Sequence, residues 1–360
     1  MTKQGDLVQW LIDNGAEVIR YRAVTELTMG YSACALEGLE SDLLESGAVG
    51  YWLSCLRGKT GFNDIHGSRD TCFENAMGKL NLFGIRQGMG DFDLRCKPYL
   101  TLLEDSNDES NVIDVLSRTI AASLLAMGGY LTEANVREWI EERLDTIYGF
   151  VKNSNYSIYV DKSRFKNIPA AFRNYPLIDP DLYSNGKFAL PWIYDIFAFR
   201  ALRDHTTKRS IRTKIASVIS YILDTRYQQF WDGYGIVLNK ENHYNVMGWN
   251  VWLPGYSGMH SDYFKMSCLI QRLELMSRFP NALPNQWFTN NLDHLKSFKT
   301  DSSVYVFPKQ YVQERKDSYF MTGVHMGLGE NRRHRLAYEI ESTFWMLKIM
   351  KNIDEGYPET

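Results

Sequence analysis

The chain has 360 residues, a net charge of −3 and an aromatic share of 14%, made up of 18 Phe, 22 Tyr and 9 Trp. That length supports a sizeable core in one or two domains. The slightly acidic balance, with no long basic stripe, argues against nucleic acid as a partner. Five cysteines, Cys34, Cys55, Cys72, Cys96 and Cys268, contain no CxxC pair. They form neither a disulfide framework nor a zinc knuckle and are expected to be reduced, buried thiols. The opening MTKQGDLVQW lacks the apolar region of a signal peptide, and no run of about 18 apolar residues occurs. A soluble, cytoplasmic protein without a membrane span is expected.

In chain order, residues 6–14 and 16–28 read as helices broken at Gly15, and 40–57 as a second pair around Gly47 and Gly50. The loop GKTGFNDIHGSRD then leads into a helix for which Thr71 and Glu74 form a capping-box pattern. Phe73, Ala76, Met77 and Leu80 give that helix one apolar face, and Gly84 ends it. Residues 109–127 read as a helix lined by Ile113, Leu116 and Ile120. Thr132 is placed to cap the next, with Val136, Ile140, Leu144 and Ile147 inward. Residues 153–191, carrying Pro169, Pro176, Pro180 and Pro191, read as a long loop. A helix from Trp192 to about Arg203 follows, in which Asp195 is the odd polar member, expected to bond an arginine or the backbone. Ile211, Ile215, Val218 and Ile222 mark another over 208–224.

The stretch from Thr225 to Tyr263 fits neither the helical nor the strand period. It is too aromatic for disorder and reads as an ordered loop whose rings wall a ligand. Helices over Tyr263–Phe279, 285–298 and about His334 to Met350 complete the chain. About a dozen helices with almost no strand signal, and no Pro- or Ser-rich linker, indicate an all-α fold in a single domain over 1–360. A closed ring of helix pairs, an (α/α)6 toroid, fits best. An open solenoid is the rival and should show a steadier repeat.

The segments WLIDNGAEVIRYRAVTEL, HGSRDTCFENAMGKL, LPWIYDIFAFRAL and GYG…MGWNVWLPGY resemble uncharacterised bacterial proteins placed beside the terpenoid cyclase and protein prenyltransferase toroids. Gln229 through Gly233 matches the Q-x3-G core of the squalene-cyclase-like repeat, although Gly235 stands where its tryptophan is expected. The resemblance implies an α/α toroid with a central cavity. It implies no mechanism, because the Asp-x-Asp-Asp acid motif is reduced to Asp179-Pro180-Asp181 followed by Leu182, and no Asp-Asp-x-x-Asp motif occurs.

Four loops precede apolar-striped helices: Asn63–Asp70, Leu177–Leu190, Gly233–Asp262 and Gly323–Arg333. In a toroid they would share one rim, where helix N-termini favour anions. Their polar members would meet there: Asp64, His66 and Asp70; Asp179 and Asp181; His243 and His260; His325 and Glu330. Histidine exchanges protons near neutral pH, and carboxyls serve beside it. His66, Asp64, Asp70, Asp179, Asp181, His243 and His260 are therefore the candidate acids and bases. Trp231, Tyr234, Tyr244, Trp249, Trp252, Tyr256 and Tyr263, with His325, are the candidate ligand contacts. Structural alternatives stand beside each: His66 as a loop-packing histidine, Asp70 as helix-start electrostatics, Asp179 and Asp181 as turn formers, the tryptophans as core. No metal-ligand or cofactor motif is present, so neither is expected.

Three functions follow. The first is a terpenoid cyclase- or prenyltransferase-like enzyme, or a binder derived from one, that holds a small isoprenoid-type ligand against aromatic faces suited to cationic centres. The second is a carbohydrate-active toroid, a glycosidase or polysaccharide lyase, acting on an oligosaccharide. The third is a non-catalytic scaffold that binds a peptide. Oligomeric state is not legible in the sequence.

Overall fold

Helix follows the apolar periodicity along most of the chain. The computed structural model describes residues 3–28, 32–104, 111–230, 233–239, 243–256 and 268–356. Of the expected site residues, Trp231, His260 and Tyr263 lie outside the described residues. Among those described, the α-helices in order are α1 Lys3–Asn14, α2 Glu17–Leu27, α3 Ala33–Glu45, α4 Gly47–Cys55 and α5 Phe62–Ile65. Next come α6 Phe73–Phe83, α7 Phe92–Glu104, α8 Val112–Met127, α9 Ala134–Val151 and α10 Ile193–Asp204. The last are α11 Arg209–Ile222, α12 Leu269–Met276, α13 Gln286–Lys296 and α14 Ala337–Gly356.

Local chemistry sets many of the ends. Ser32 and Ser46 accept N-terminal amides of α3 and α4, and Asn111 with Asp114 forms a capping box on α8. Gly84 closes α6 at φ +88°, as the sequence predicts. Two expected caps are corrected. The N-cap of α6 is Cys72, without a side-chain cap, so Thr71 and Glu74 form no capping box there. Thr132 ends a short 3₁₀ turn, and α9 starts after Glu133.

The all-α expectation is corrected in one respect. The fold is mostly helical, but a four-stranded sheet joins β1 Tyr159–Val160, β2 Leu177–Ile178, β3 Gly235–Leu238 and β4 Tyr244–Met247 in that order. β1 and β2 are antiparallel, β2 and β3 parallel through Leu177 and Ile236, and β3 and β4 antiparallel. Strands this short carry too few residues for an alternating pattern to register. Gly235 adopts φ +121° with its Cβ position 2.3 Å from the Pro176 carbonyl oxygen. No side chain fits where β3 crosses that segment.

The chain divides into two compact units. One comprises the described residues of Met1–Lys59, His66–Lys97 and Gly258–Thr360; the other those of Thr60–Ile65 and Pro98–Ser257. The division falls within α7, at Pro98. In the first unit α1 packs on α2, α2 on α3, α3 on α4 and α4 on α6, while α14 lies against α1, α2 and α12. α6 is enclosed along its whole length. In the second unit α8 packs against α5, α9 and α10, and α11 against α9.

The second unit is pinned by a buried ion pair. Asp195 on α10 accepts from Arg143 Nε at 3.0 Å and Nη2 at 2.8 Å, and from the Trp192 amide at 2.8 Å. Arg143 also donates to the carbonyls of Phe188 and Leu190 and lies over the Trp192 ring. Both partners of Asp195 are therefore those the sequence suggests, an arginine and the backbone. Asp195→Asn should lower the unfolding free energy by about 3–5 kcal/mol, because Arg143 is left buried without its counter-charge. Urea unfolding followed by circular dichroism measures this, and a loss below about 1 kcal/mol would show that the pair is energetically idle.

Candidate functional site

The polar chemistry of the first unit is concentrated on α6. A helix with Phe73, Ala76, Met77 and Leu80 inward should expose the residues between them. Instead Glu74, Asn75, Lys79 and Asn81 are all buried, at 3% exposure or less. Buried polar groups must be hydrogen-bonded or they cost several kcal/mol, and each of the first three finds partners brought from elsewhere in the chain.

Glu74 meets His66. Its Oε2 lies 2.6 Å from His66 Nδ1, while Glu74 is wholly buried and the His66 side chain keeps 11% of its surface. With Glu74 ionised, Nδ1 carries the proton and donates it into the carboxylate. Glu74 Oε1 has no hydrogen-bond partner among the described residues. The Tyr319 ring lies against the imidazole, with centroids 5.0 Å apart and planes tilted by 34°. Asn75 donates to the carbonyls of Gly67 and Arg69, both at 2.9 Å, and accepts the Phe320 amide at 2.7 Å. One turn on, the Phe320 ring sits 2.5 Å from where a Cβ of Gly78 would be, so only glycine leaves room.

Lys79 is the third polar residue. Its ammonium donates to Glu314 and to the carbonyls of His325 and Gly327. Burial pushes the Lys79 ammonium down, and Glu314 restores part of that. Burial likewise raises the Glu314 carboxyl, but Lys79 and His325 outweigh it and hold it below the ordinary value. Glu341 on α14 completes the clamp. It accepts the Leu328 and Glu330 amides and ion-pairs with Arg332 at 2.6 Å.

The expected residues can now be placed. His66 and Asp70 share the loop before α6, and Asp70 Oδ2 accepts the Tyr51 hydroxyl at 2.6 Å. That bond, then burial, raises the Tyr51 phenol. His325 is 2% exposed, its Nε2 on the Ser318 carbonyl at 2.9 Å. Glu330 accepts the Ala16 amide at 2.6 Å. The segments 66–70 and 314–332 therefore both bond to α6.

The other two loops meet each other in the second unit. Leu177 pairs with Ile236, and the Leu238 amide donates to Tyr183 Oη. Asp64 lies in α5 of that unit. Asp179 accepts the Asp181 amide in a 3₁₀ turn, the turn-forming alternative, and Asp181 is exposed. His243 is exposed at the start of β4. Tyr234 is fully buried, its hydroxyl 2.6 Å from the Tyr227 hydroxyl and donating to the Pro191 carbonyl oxygen at 2.6 Å. Tyr244 donates to the Lys166 carbonyl at 2.9 Å, and Tyr256 donates to that of Leu223. Trp249 and Trp252 are half-buried. Trp249 holds the left-handed φ of +61°, with its carbonyl accepting the Ile193 amide at 2.9 Å. Gln229 of the Q-x3-G pattern is exposed. Its neighbour Gln228 is the buried one, bonded to Ile222, Val251 and Leu253.

Sequence reasoning reached His66 and considered Glu74 as a cap. It missed Asn75, Lys79, Glu314 and Tyr319. The available signal was the density of polar residues on a helix between two glycine-containing loops. Among the described residues, no three His, Cys, Asp or Glu stand close enough to hold a metal ion, and no helix is long and apolar enough to cross a membrane. Four cysteines are buried as expected; Cys34 is exposed. Comparison with protein-family models, curated proteins and solved structures finds no match to this chain.

Burial, only partly offset by Arg332 and the loop amides, raises Glu341 from its ordinary 4.5 to about 7. A carboxyl so raised binds its proton more tightly in the folded state. Its stabilising contribution is complete below about pH 4.5 and is lost as pH rises through about 7. Glu341→Gln keeps an acceptor for the amides without the charge. Its melting temperature should therefore rise relative to the unsubstituted protein as pH crosses that window, and a difference that does not change with pH would refute the assignment.

Proposed function

We propose that the chain is an enzyme of α/α-toroid type that carries out general acid–base chemistry on a small hydroxylated substrate of oligosaccharide character, with His66 as the base. The observation that carries this reading is the 2.6 Å contact between His66 Nδ1 and the fully buried Glu74 carboxylate. A histidine so held has one tautomer and one orientation, the arrangement that makes imidazole an effective proton acceptor. Tyr319 fixes one face of the ring, and both His66 and Tyr319 are partly exposed, so a small ligand can reach them. The toroid frame is supported by the succession of packed helix pairs within each unit.

The first of the three functions, an isoprenoid cavity, draws less support. Ionising a prenyl diphosphate needs a metal-binding carboxylate motif, and protonating an alkene needs a carboxylic acid of the cyclase kind; the sequence has neither. The described rings of the aromatic stretch that lie deepest, Tyr227, Phe230 and Tyr234, are at most 9% exposed and pack on one another. In this reading they are core.

Thermal-shift and turnover screens should compare uronic-acid oligosaccharides, neutral oligosaccharides and prenyl diphosphates. A sugar is expected to raise the melting temperature and to be converted, with His66→Gln slowing turnover by about 10²–10⁴-fold. A prenyl diphosphate that shifts the melting temperature while no sugar does would favour the isoprenoid reading instead. Turnover unchanged in His66→Gln would remove His66 as the base.

A further inference from the structure

We propose that Asn75 is the positioning residue of this site: one buried amide holds the backbones that carry His66 and Tyr319, and so keeps the phenol ring in contact with the imidazole. The proposal rests on the reading of His66 as the base for its catalytic consequence, but not for its geometry. Asn75 is 1% exposed and directs its hydrogen bonds to two separate loops. Both donors reach the loop before α6, at the carbonyls of Gly67 and Arg69, and the acceptor takes the amide of Phe320. Gly67 follows His66, and Phe320 follows Tyr319. The two loops are 245 residues apart in sequence at the Phe320 contact, and this side chain is bonded to both.

The neighbouring positions of α6 reinforce the geometry. Glu74 takes the imidazole itself. Gly78, one turn along from Asn75, offers bare backbone on which the Phe320 ring lies. Asparagine is required by its chemistry. An amide presents donor and acceptor from one planar group, whereas aspartate would set a carboxylate against two carbonyl oxygens. Glutamine would carry the same amide one methylene too far.

The test uses the full chain with isotope-labelled histidine. The His66 imidazole signals are identified by their loss in His66→Gln. The shift that the Tyr319 ring imposes on them is the difference between the unsubstituted protein and Tyr319→Leu. In Asn75→Asp, and in Asn75→Ala, the His66 signals should move to the position seen in Tyr319→Leu. On a substrate found by the screen above, kcat should fall by about 10²-fold with little change in KM, the scale expected of a displacement near 1 Å. A folded Asn75 variant that keeps the unsubstituted His66 signals overturns the proposal. Loss of the ring shift with turnover intact would uphold the positioning role and reject His66 as the base, so the two failures are distinguishable. If both variants fail to fold, hydrogen exchange in the unsubstituted protein decides. The Phe320 amide should be strongly protected, and exchange at the rate of an open loop would overturn the proposal.

Discussion

Burying charge and amide groups inside helix α6 is the constraint on which the first unit depends. Glu74, Asn75 and Lys79 are each at most 1% exposed. None could stay there alone, because an unpaired buried charge or an unbonded amide costs several kcal/mol. Their partners are His66, the 67–69 backbone, the Phe320 amide, Glu314 and the carbonyls of His325 and Gly327. Folding of α6 into the interior and docking of the loops on either side of it are therefore one event. The cost of leaving any of these groups unsatisfied makes the arrangement close to all-or-none.

The 314–332 segment shows how tightly this is drawn. Lys79 of α6 holds it by carbonyls, and Glu341 of α14 holds it by amides. Gly327 sits between them, with its Cβ position 2.7 Å from both Arg332 Nη2 and Glu314 Oε1. Opposite charges close over bare backbone, so a side chain there would separate the pairs. The same segment carries Tyr319, and the clamp that makes the loop rigid also fixes the ring beside His66.

In the second unit tyrosine hydroxyls join the Arg143–Asp195 pair and Gln228 as groups that need partners. Buried Tyr227, Tyr234 and Tyr244 and half-buried Tyr256 use their hydroxyls to bond backbone on other segments. This gives the tyrosines of the stretch around β3 and β4 a structural use. Rings supply apolar area, and hydroxyls satisfy loop carbonyls and amides that no helix or sheet reaches. Trp249 accepts a left-handed backbone so that its carbonyl can cap α10. The aromatic surplus is thus spent largely on holding irregular backbone in place.

Local sequence determined the elements that depend on neighbours within a turn or two. The apolar stripes of α8, α9 and α11, the stop at Gly84, and the need of Asp195 for an arginine or backbone partner were all legible, because each is set by helical period or by the cost of one buried charge. Tertiary structure alone decided the rest. A period of 3.6 identifies an inner face only if the other face meets water, and α6 meets protein on every side, so Glu74, Asn75 and Lys79 could be read as solvent-facing or capping. The strands escaped notice because pairing of Leu177 with Ile236 joins short segments far apart in the chain. His66 was visible as a histidine in a loop. Its pairing with a buried carboxylate was not, because which groups become partners in a low-dielectric interior depends on the path of the whole chain.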